Sequence, residues 1–236
     1  MVFSKSAPLY DLFYAGKDYA READRLRALI GEHKRSPGTS LLDVACGTGG
    51  HISFLRRDYA VEGLDLDRGL LEIARRKHPD LVFHQGDMLN FDLGRRFDVV
   101  VCLFSSIGYV KTPPRLRQAV QTMARHVHPG GLLVIEPWLT PDAFKPGMAH
   151  GLFVDQPEIK AARMNVSAVE DGVSIIEFHY LVATAPGVAY FTERHELGLF
   201  TLAEYEEAMR AAGLEVMLDH EGLMGRGLLI GRQPGS

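Results

Sequence analysis

Asp43, Asp65 and Asp87 each accompany a short apolar run, and their spacing suggests what they could bind. Asp43 lies in Leu-Leu-Asp-Val-Ala-Cys-Gly-Thr-Gly-Gly (41–50), Asp65 ends the run from Val61 to Leu64, and Asp87 follows Gly86 after Leu81 to Phe83. A carboxylate can accept two hydrogen bonds from a diol. Asp65 stands 22 positions after Asp43, about the distance at which the second strand of a βαβ unit sets an acid on ribose hydroxyls. Leu41, Leu42 and Val44 suit a strand covered on both faces, while Gly47, Gly49 and Gly50 let backbone amides approach a ligand without side chains intervening. A ligand with a ribose and a charged tail fits such a strand and turn. A nicotinamide dinucleotide is disfavoured, because Ile52 stands where its fingerprint needs a third glycine.

The pattern D-x-A-x-G-x-G from Asp43 to Gly49 resembles the first motif of class I S-adenosylmethionine (SAM) methyltransferases, which usually carry glycine at the place of Ala45. That resemblance implies a SAM site at Asp43, Ala45, Gly47 and Gly49, with Asp65 and Leu66 at the ribose end and Phe104 at the close of a later strand. Asp87 and Met88 resemble the segment that meets the adenine amino group and packs on its ring.

Five further strings resemble more narrowly the SAM-dependent N,N-dimethyltransferases of TDP-linked amino sugars. They are Tyr10-Asp-Leu-Phe-Tyr14, Gly16-Lys-Asp-Tyr19, Ser105-Ser-Ile-Gly-Tyr109, Glu177-Phe-His-Tyr-Leu-Val-Ala183 and Gly225-Arg-Gly-Leu228. Carried over, the resemblance makes Tyr14 and Tyr19 cofactor contacts and Tyr10, Ser106, Tyr109 and Tyr180 substrate contacts. Arg226 would meet the nucleotide diphosphate, since a planar cation with several donors suits phosphate oxygens. Glu136 and Trp138, at a strand end, point to the substrate; Trp138 either lines the sugar pocket or packs in the core. His179 is the candidate base, being the side-chain type that titrates near neutrality. Tyr109 is a second catalytic candidate, at a position where some relatives have histidine; a phenol is a poor base near pH 7, so a hydrogen bond suits it better.

The resemblance implies an α/β fold, a Rossmann-like doubly wound sheet over 1–236 with an antiparallel insertion at 140–200 roofing the cleft. It also implies transfer of SAM methyl groups to the amino nitrogen of a TDP-aminodeoxyhexose in antibiotic deoxysugar biosynthesis. Another small amine or hydroxyl acceptor, or a SAM-binding partner protein without catalysis, stays open at this point. Which sugar, which amino position and which oligomer are unread, although a homodimer fits.

The elements that must position these residues are legible in the periodicity. Helical patterns run from Asp18 to His33, from about Gly50, from Arg68 to Lys77, from Thr112 to His126 and from Thr201 to Ala212, the last opened by a Thr201-x-x-Glu204 capping box. The helix from Gly50 would offer free amides to a carboxylate. Strands are expected at 97–104, at 132–135 after the Pro129-Gly130-Gly131 turn, at 214–219 and at 227–230. From 161 to 199 three alternating segments read as a meander. His126 and His128 read as surface residues.

Composition narrows the partners. With 236 residues, 46% of them apolar, the chain can bury a substantial core in one domain. Its net charge of −4 is interspersed, so no basic stripe suits nucleic acid. No apolar run reaches the ~20 residues of a membrane span, and the opening Met-Val-Phe-Ser-Lys lacks a secretory apolar core, which places the protein in the cytoplasm. Two cysteines, Cys46 and Cys102, match neither zinc spacing nor a disulfide framework, so no metal is expected.

Overall fold

Short apolar strands alternate with amphipathic helices through the first half of the chain, and this alternation builds the floor of the molecule. The computed structural model describes residues 5–235; Met1–Ser4, read above for a leader, and Ser236 lie outside the described residues. In chain order come α1 (Tyr10–Phe13), α2 (Tyr19–His33), β1 (Ser40–Val44), α3 (Ile52–Leu55), β2 (Ala60–Asp65), α4 (Arg68–Lys77), β3 (Val82–Gln85) and β4 (Phe97–Cys102). Next are α5 (Pro113–Arg125) and β5 (Val127–Ile135), then β6 (Ala149–Asp155), β7 (Lys160–Glu170), β8 (Val173–Thr184) and β9 (Gly187–Gly198). The chain ends with α6 (Leu202–Ala211), β10 (Glu215–Asp219) and β11 (Leu228–Arg232).

Seven strands form one sheet in the order β10-β11-β5-β4-β1-β2-β3. Strands β1 to β5 pair in parallel, whereas β11 runs antiparallel to both β5 and β10. Each face is covered: Leu26, Ile30, Leu55 and Leu71 pack with Leu41, Val99 and Val101 on one side, and Leu116, Met123, Tyr205 and Met209 pack with Leu42, Val100 and Leu133 on the other. Two-sided burial explains why these strands read as unbroken apolar runs. The sheet order reverses at β1 and β4, and outside such a switch point open α/β sheets bind ligands.

The second sheet is antiparallel, in the order β6-β7-β8-β9. Its inner face meets the opening segment through Leu9, Phe13, Ala161, Tyr180 and Val182. The alternation over 161–199 shows three of the strands; β6 was not expected, because Gly151 and the mixed Ala149–Asp155 give no clean period of two.

Local readings differ from the structure at four places. The helix expected from about Gly50 is only Ile52–Leu55, since Gly49 and Gly50 leave the chain in turns until His51. The strand expected to Phe104 stops at Cys102, where Phe104 and Ser105 adopt φ of 51° and 60°. The Pro129-Gly130-Gly131 turn lies within β5 as an irregularity, Gly130 having φ 75°. His126 is buried rather than on the surface, its ring bonded to the Thr122 carbonyl and the Leu93 amide. The capping box at Thr201 and Glu204 has both of its hydrogen bonds.

Candidate active site

The glycine turn after β1 bends through three left-handed residues, Ala45, Gly47 and Gly49, at φ 60°, 57° and 79°. Two of them are glycine, for which this region carries no steric cost; at Ala45 it costs about 1 kcal/mol, which is why glycine suits that place. No atom lies within 4 Å of where a Cβ on Gly47 would stand, so its backbone faces open space. The Gly47 and Asp67 amides each donate at 2.8 Å to the Asp65 carboxylate. This fixes both oxygens at the end of β2 while leaving each a lone pair for a diol. Burial raises the Asp65 carboxyl above its usual range, the two amides opposing it.

Over this floor opens a cavity of about 600 Å³. Its lining includes Ala45, Gly47, Asp65, Leu66, Asp87 and Met88. Leu66 is 56% exposed, an apolar surface that a planar base would cover. Tyr10, Tyr14, Phe104, Ser106, Tyr109, Trp138 and Arg226 also line the cavity. A smaller cavity shares Tyr10, Ala45, Gly47, Phe104 and Ser106 with the first and continues to Asp43, Tyr19, Thr48 and His51. These are polar surroundings for a charged tail. Buried Asp43, with Asp65 nearby, is pushed up to about 8 by desolvation. Next to it Glu22 accepts from Lys17 and shares a 2.7 Å hydrogen bond with His51.

The loop after β4 carries strain at the centre of the site. A left-handed Phe104 costs roughly 1–2 kcal/mol. Glu136 offsets this by accepting the Phe104 amide at 2.6 Å, and Ser105 donates to the Pro137 carbonyl at 2.8 Å and accepts from Arg226 at 2.9 Å. Arg226 also lies 4.9 Å from the centre of the Trp138 ring, whose Nε1 donates to Ser174. The opening segment is pinned at both ends. Asp11 accepts from Thr48 and Lys77 on the floor, and Glu193 on the roof accepts the Lys5 and Ser6 amides.

Four residues expected at the site do not border either cavity. His179, the expected base, is exposed on the outer face of β8 and shares a 2.6 Å hydrogen bond with Tyr190. This corrects that expectation, and the reason is the two-residue period of a strand, which turns His179 outward when Phe178 and Tyr180 turn inward. Tyr180 is 2% exposed and stacks on Phe191, 4.7 Å between centroids, so it packs rather than lines. Glu136 is fully buried beneath Phe104 and supports the loop. Gly49 turns its amide to the Cys46 carbonyl and lies against His78.

The roof contributes residues that sequence reasoning missed. Arg163, 9% exposed, reaches the cavity from β7, with Phe13, Tyr14 and Phe178 around its guanidinium. His195 reaches it from β9, and Lys111, paired with Glu196, borders it from the turn after β4. The available signal was the parity of β8: two bulky aromatics, Phe178 and Tyr180, on one side make that side the inner one, and Ile176 on that side pairs with His195. Among the described residues no cluster of potential ligands could hold a metal ion.

The methyltransferase-domain family matches residues 41–131, from β1 into β5. The dTDP-3-amino-3,6-dideoxy-alpha-D-glucopyranose N,N-dimethyltransferase of Streptomyces fradiae is 45% identical over 95% of this chain and 89% of its own length. Among solved structures, DesVI of Streptomyces venezuelae superposes with a TM-score of 0.91 at 42% identity, covering 98% of this chain and 99% of that one. SAM-bound CalS10, an amino pentose methyltransferase from Micromonospora echinaspora involved in calicheamicin biosynthesis, gives 0.85 at 36% identity over 99% and 98%. The open cradle at Gly47, the amide-held carboxylate of Asp65 and the exposed Leu66 fit the cofactor of that family. The chain therefore belongs to the SAM-dependent N,N-dimethyltransferases of dTDP-linked amino sugars.

Proposed function

We propose that this chain transfers methyl groups from SAM to the amino nitrogen of a TDP-linked aminodeoxyhexose, and does so twice to leave a dimethylamino sugar. The observation that carries the reading is a single cavity lined both by the carboxylates of Asp65 and Asp87 and by Arg226, which lies 4.9 Å from the centre of the Trp138 ring. A nucleoside and a phosphorylated sugar need such opposite chemistries. When bound, SAM supplies an electrophilic methyl on a sulfonium. Asp65 holds the ribose, Asp87 and Met88 the adenine, and Tyr19, Asp43 and the Gly47 amide receive the methionine end. Arg226 holds the diphosphate, with Ser106 and Trp138 along the sugar. Tyr10 and Tyr14 cover both ligands and exclude water. Orientation of this kind is worth up to ~7–11 kcal/mol.

The finer reading of partners is a second copy of this chain. The outer face of the antiparallel sheet exposes Phe153, Met164, Val166, Leu181, Val188 and Tyr190, between 49% and 74% each. Residues of alternating parity put all six on one surface, and a contiguous apolar face of this kind marks an interface. A two-fold pair buries the same patch on both copies. In light scattering a dimer is expected, and Leu181→Glu should give a monomer that still binds S-adenosylhomocysteine. The enzyme works in the cytoplasm on this reading, since both ligands are charged; among the described residues no helix is long and apolar enough to cross a membrane.

Calorimetric titration tests the substrate class. S-adenosylhomocysteine should bind in the micromolar range, and TDP should then bind the saturated protein, with Arg226→Ala weakening TDP about tenfold or more, as expected for a charge-assisted contact. An unaltered protein that takes the first ligand and ignores TDP sinks the nucleotide-sugar assignment.

A further inference from the structure

Tyr109 and His195 come from distant parts of the chain, the 3-10 turn Ser106–Val110 and the inner face of β9, and meet on the cavity wall. The phenol oxygen and the imidazole Nδ1 are 2.7 Å apart. Behind them Glu193, two residues earlier on the same strand face, sets its Oε2 3.9 Å from His195 Nε2. Burial pushes the Glu193 carboxyl up, but its contacts with His195 and Ser6 outweigh that and hold it below the usual carboxylate range. The far end of the row is therefore negatively charged near neutral pH. Burial drives the Tyr109 phenol well above its ordinary value, so this oxygen stays protonated and passes a proton on only by receiving another. Among the described residues, further titratable and charged groups facing the pair include Tyr10, Tyr14, Tyr180 and Asp65, with Arg163 across the Phe178 ring.

An amine acceptor poses a chemical requirement that the floor of the site does not meet. Alkyl amines are mostly ammonium ions near pH 7, and an ammonium nitrogen has no lone pair to attack with. We propose that Tyr109 and His195 form a proton relay that turns the incoming sugar ammonium into the neutral nucleophile, an inference that rests on the amino-sugar reading above. In the step, one N–H bond of the ammonium breaks and its proton joins the Tyr109 oxygen, while the Tyr109 O–H breaks and that proton joins His195 Nδ1. The amine keeps the electron pair. His195 starts as the tautomer protonated on Nε2, which leaves Nδ1 to accept, and the imidazolium formed lies beside the Glu193 carboxylate. Each methyl transfer puts a positive charge back on the sugar nitrogen, and once the imidazolium has returned its proton through the Tyr109 oxygen to water in the emptied cavity, the relay serves the second methylation as well as the first. His195 acts through Tyr109 and is a positioning residue for the proton rather than a contact of the substrate.

The pH dependence of the defect separates this role from a structural one. Methylation of a TDP-amino sugar by the unaltered enzyme is measured first, from pH 7 to pH 9.5. Its absence overturns the substrate reading and the relay with it. If it is present, His195→Gln should lower kcat/KM at pH 7 by about 10²-fold, the low end for a positioned acid or base. The defect should shrink to a few-fold at pH 9.5, where solution supplies the neutral amine. Tyr109→Phe, which removes one oxygen and leaves His195 in place, should show the same convergence and keeps the test intact if His195→Gln does not fold. Added imidazole should partly restore His195→Gly at pH 7. Variants at wild-type rate, or with a defect equal at every pH, overturn the relay while leaving the methyltransferase reading in place.

Discussion

The floor and the roof of the cleft are built on opposite principles. On the floor, the polar groups that line the cavity are backbone amides and carboxylates held by backbone: Gly47 and Asp67 fix Asp65, and the Leu89 amide fixes Asp87. On the roof they are side chains held by other side chains: Arg163 among three aromatic rings, and His195 against Tyr109. A floor made of turns tolerates little change of residue and serves one cofactor. A roof made of strand side chains can be recast position by position, which is where a family could change its acceptor.

If that contrast is right, the largest effect comes from breaking the floor. Asp65→Ala removes two charge-assisted hydrogen bonds to a diol, about 4 kcal/mol together, so S-adenosylhomocysteine should bind roughly a thousandfold more weakly by calorimetry. Retention of wild-type affinity would place the ribose elsewhere.

The floor also holds a buried carboxyl that keeps its proton, whereas the buried Glu193 of the roof is held ionised by its contacts. Asp43 is pushed up to about 8 by burial, with Asp65 adding to it. The unfolded carboxyl releases its proton near pH 4, while the folded one keeps it until about pH 8. Between those values the folded state binds the extra proton, so this group's contribution is full below pH 4 and is lost as pH rises to about 8. The ligand-free protein should lose about 4 kcal/mol relative to Asp43→Asn between pH 5 and pH 9. Parallel melting curves for the two proteins would show that Asp43 is already ionised.

A smaller effect sharpens the reading of the turn. Ala45 at φ 60° holds a conformation that glycine adopts freely, so Ala45→Gly should raise stability by up to about 1 kcal/mol in urea unfolding. Destabilisation there would mean that the methyl group packs usefully.

The smallest effect tests the strand parity of the roof. His179 is exposed and, among the described residues, its side chain bonds to Tyr190 across the outer face, so His179→Ala should leave kcat within about twofold and stability within ~0.5 kcal/mol. A large loss of kcat would return His179 to the cleft.

These outcomes trace back to how each region is written in the chain. The order of strands β1 to β5, the glycine turn and the acids at Asp65 and Asp87 are legible because a βαβ unit is local, and its turn, strand end and spacing lie within about twenty residues. The narrower strings around Tyr10, Ser106 and Arg226 were legible by resemblance, since each is one short contiguous segment at the cleft. The amino-acid sequence by itself thus determined the parallel floor and the cofactor it receives. Only the tertiary structure decided which of two neighbours on a strand enters the cavity. The choice between His179 and Phe178, and the arrival of His195 and Arg163, depend on how β8 packs against Phe13 and Leu9 of the opening segment, more than 160 residues away in the chain. A one-residue change of parity reverses every side chain of a strand, and no local pattern contains the partner that sets it.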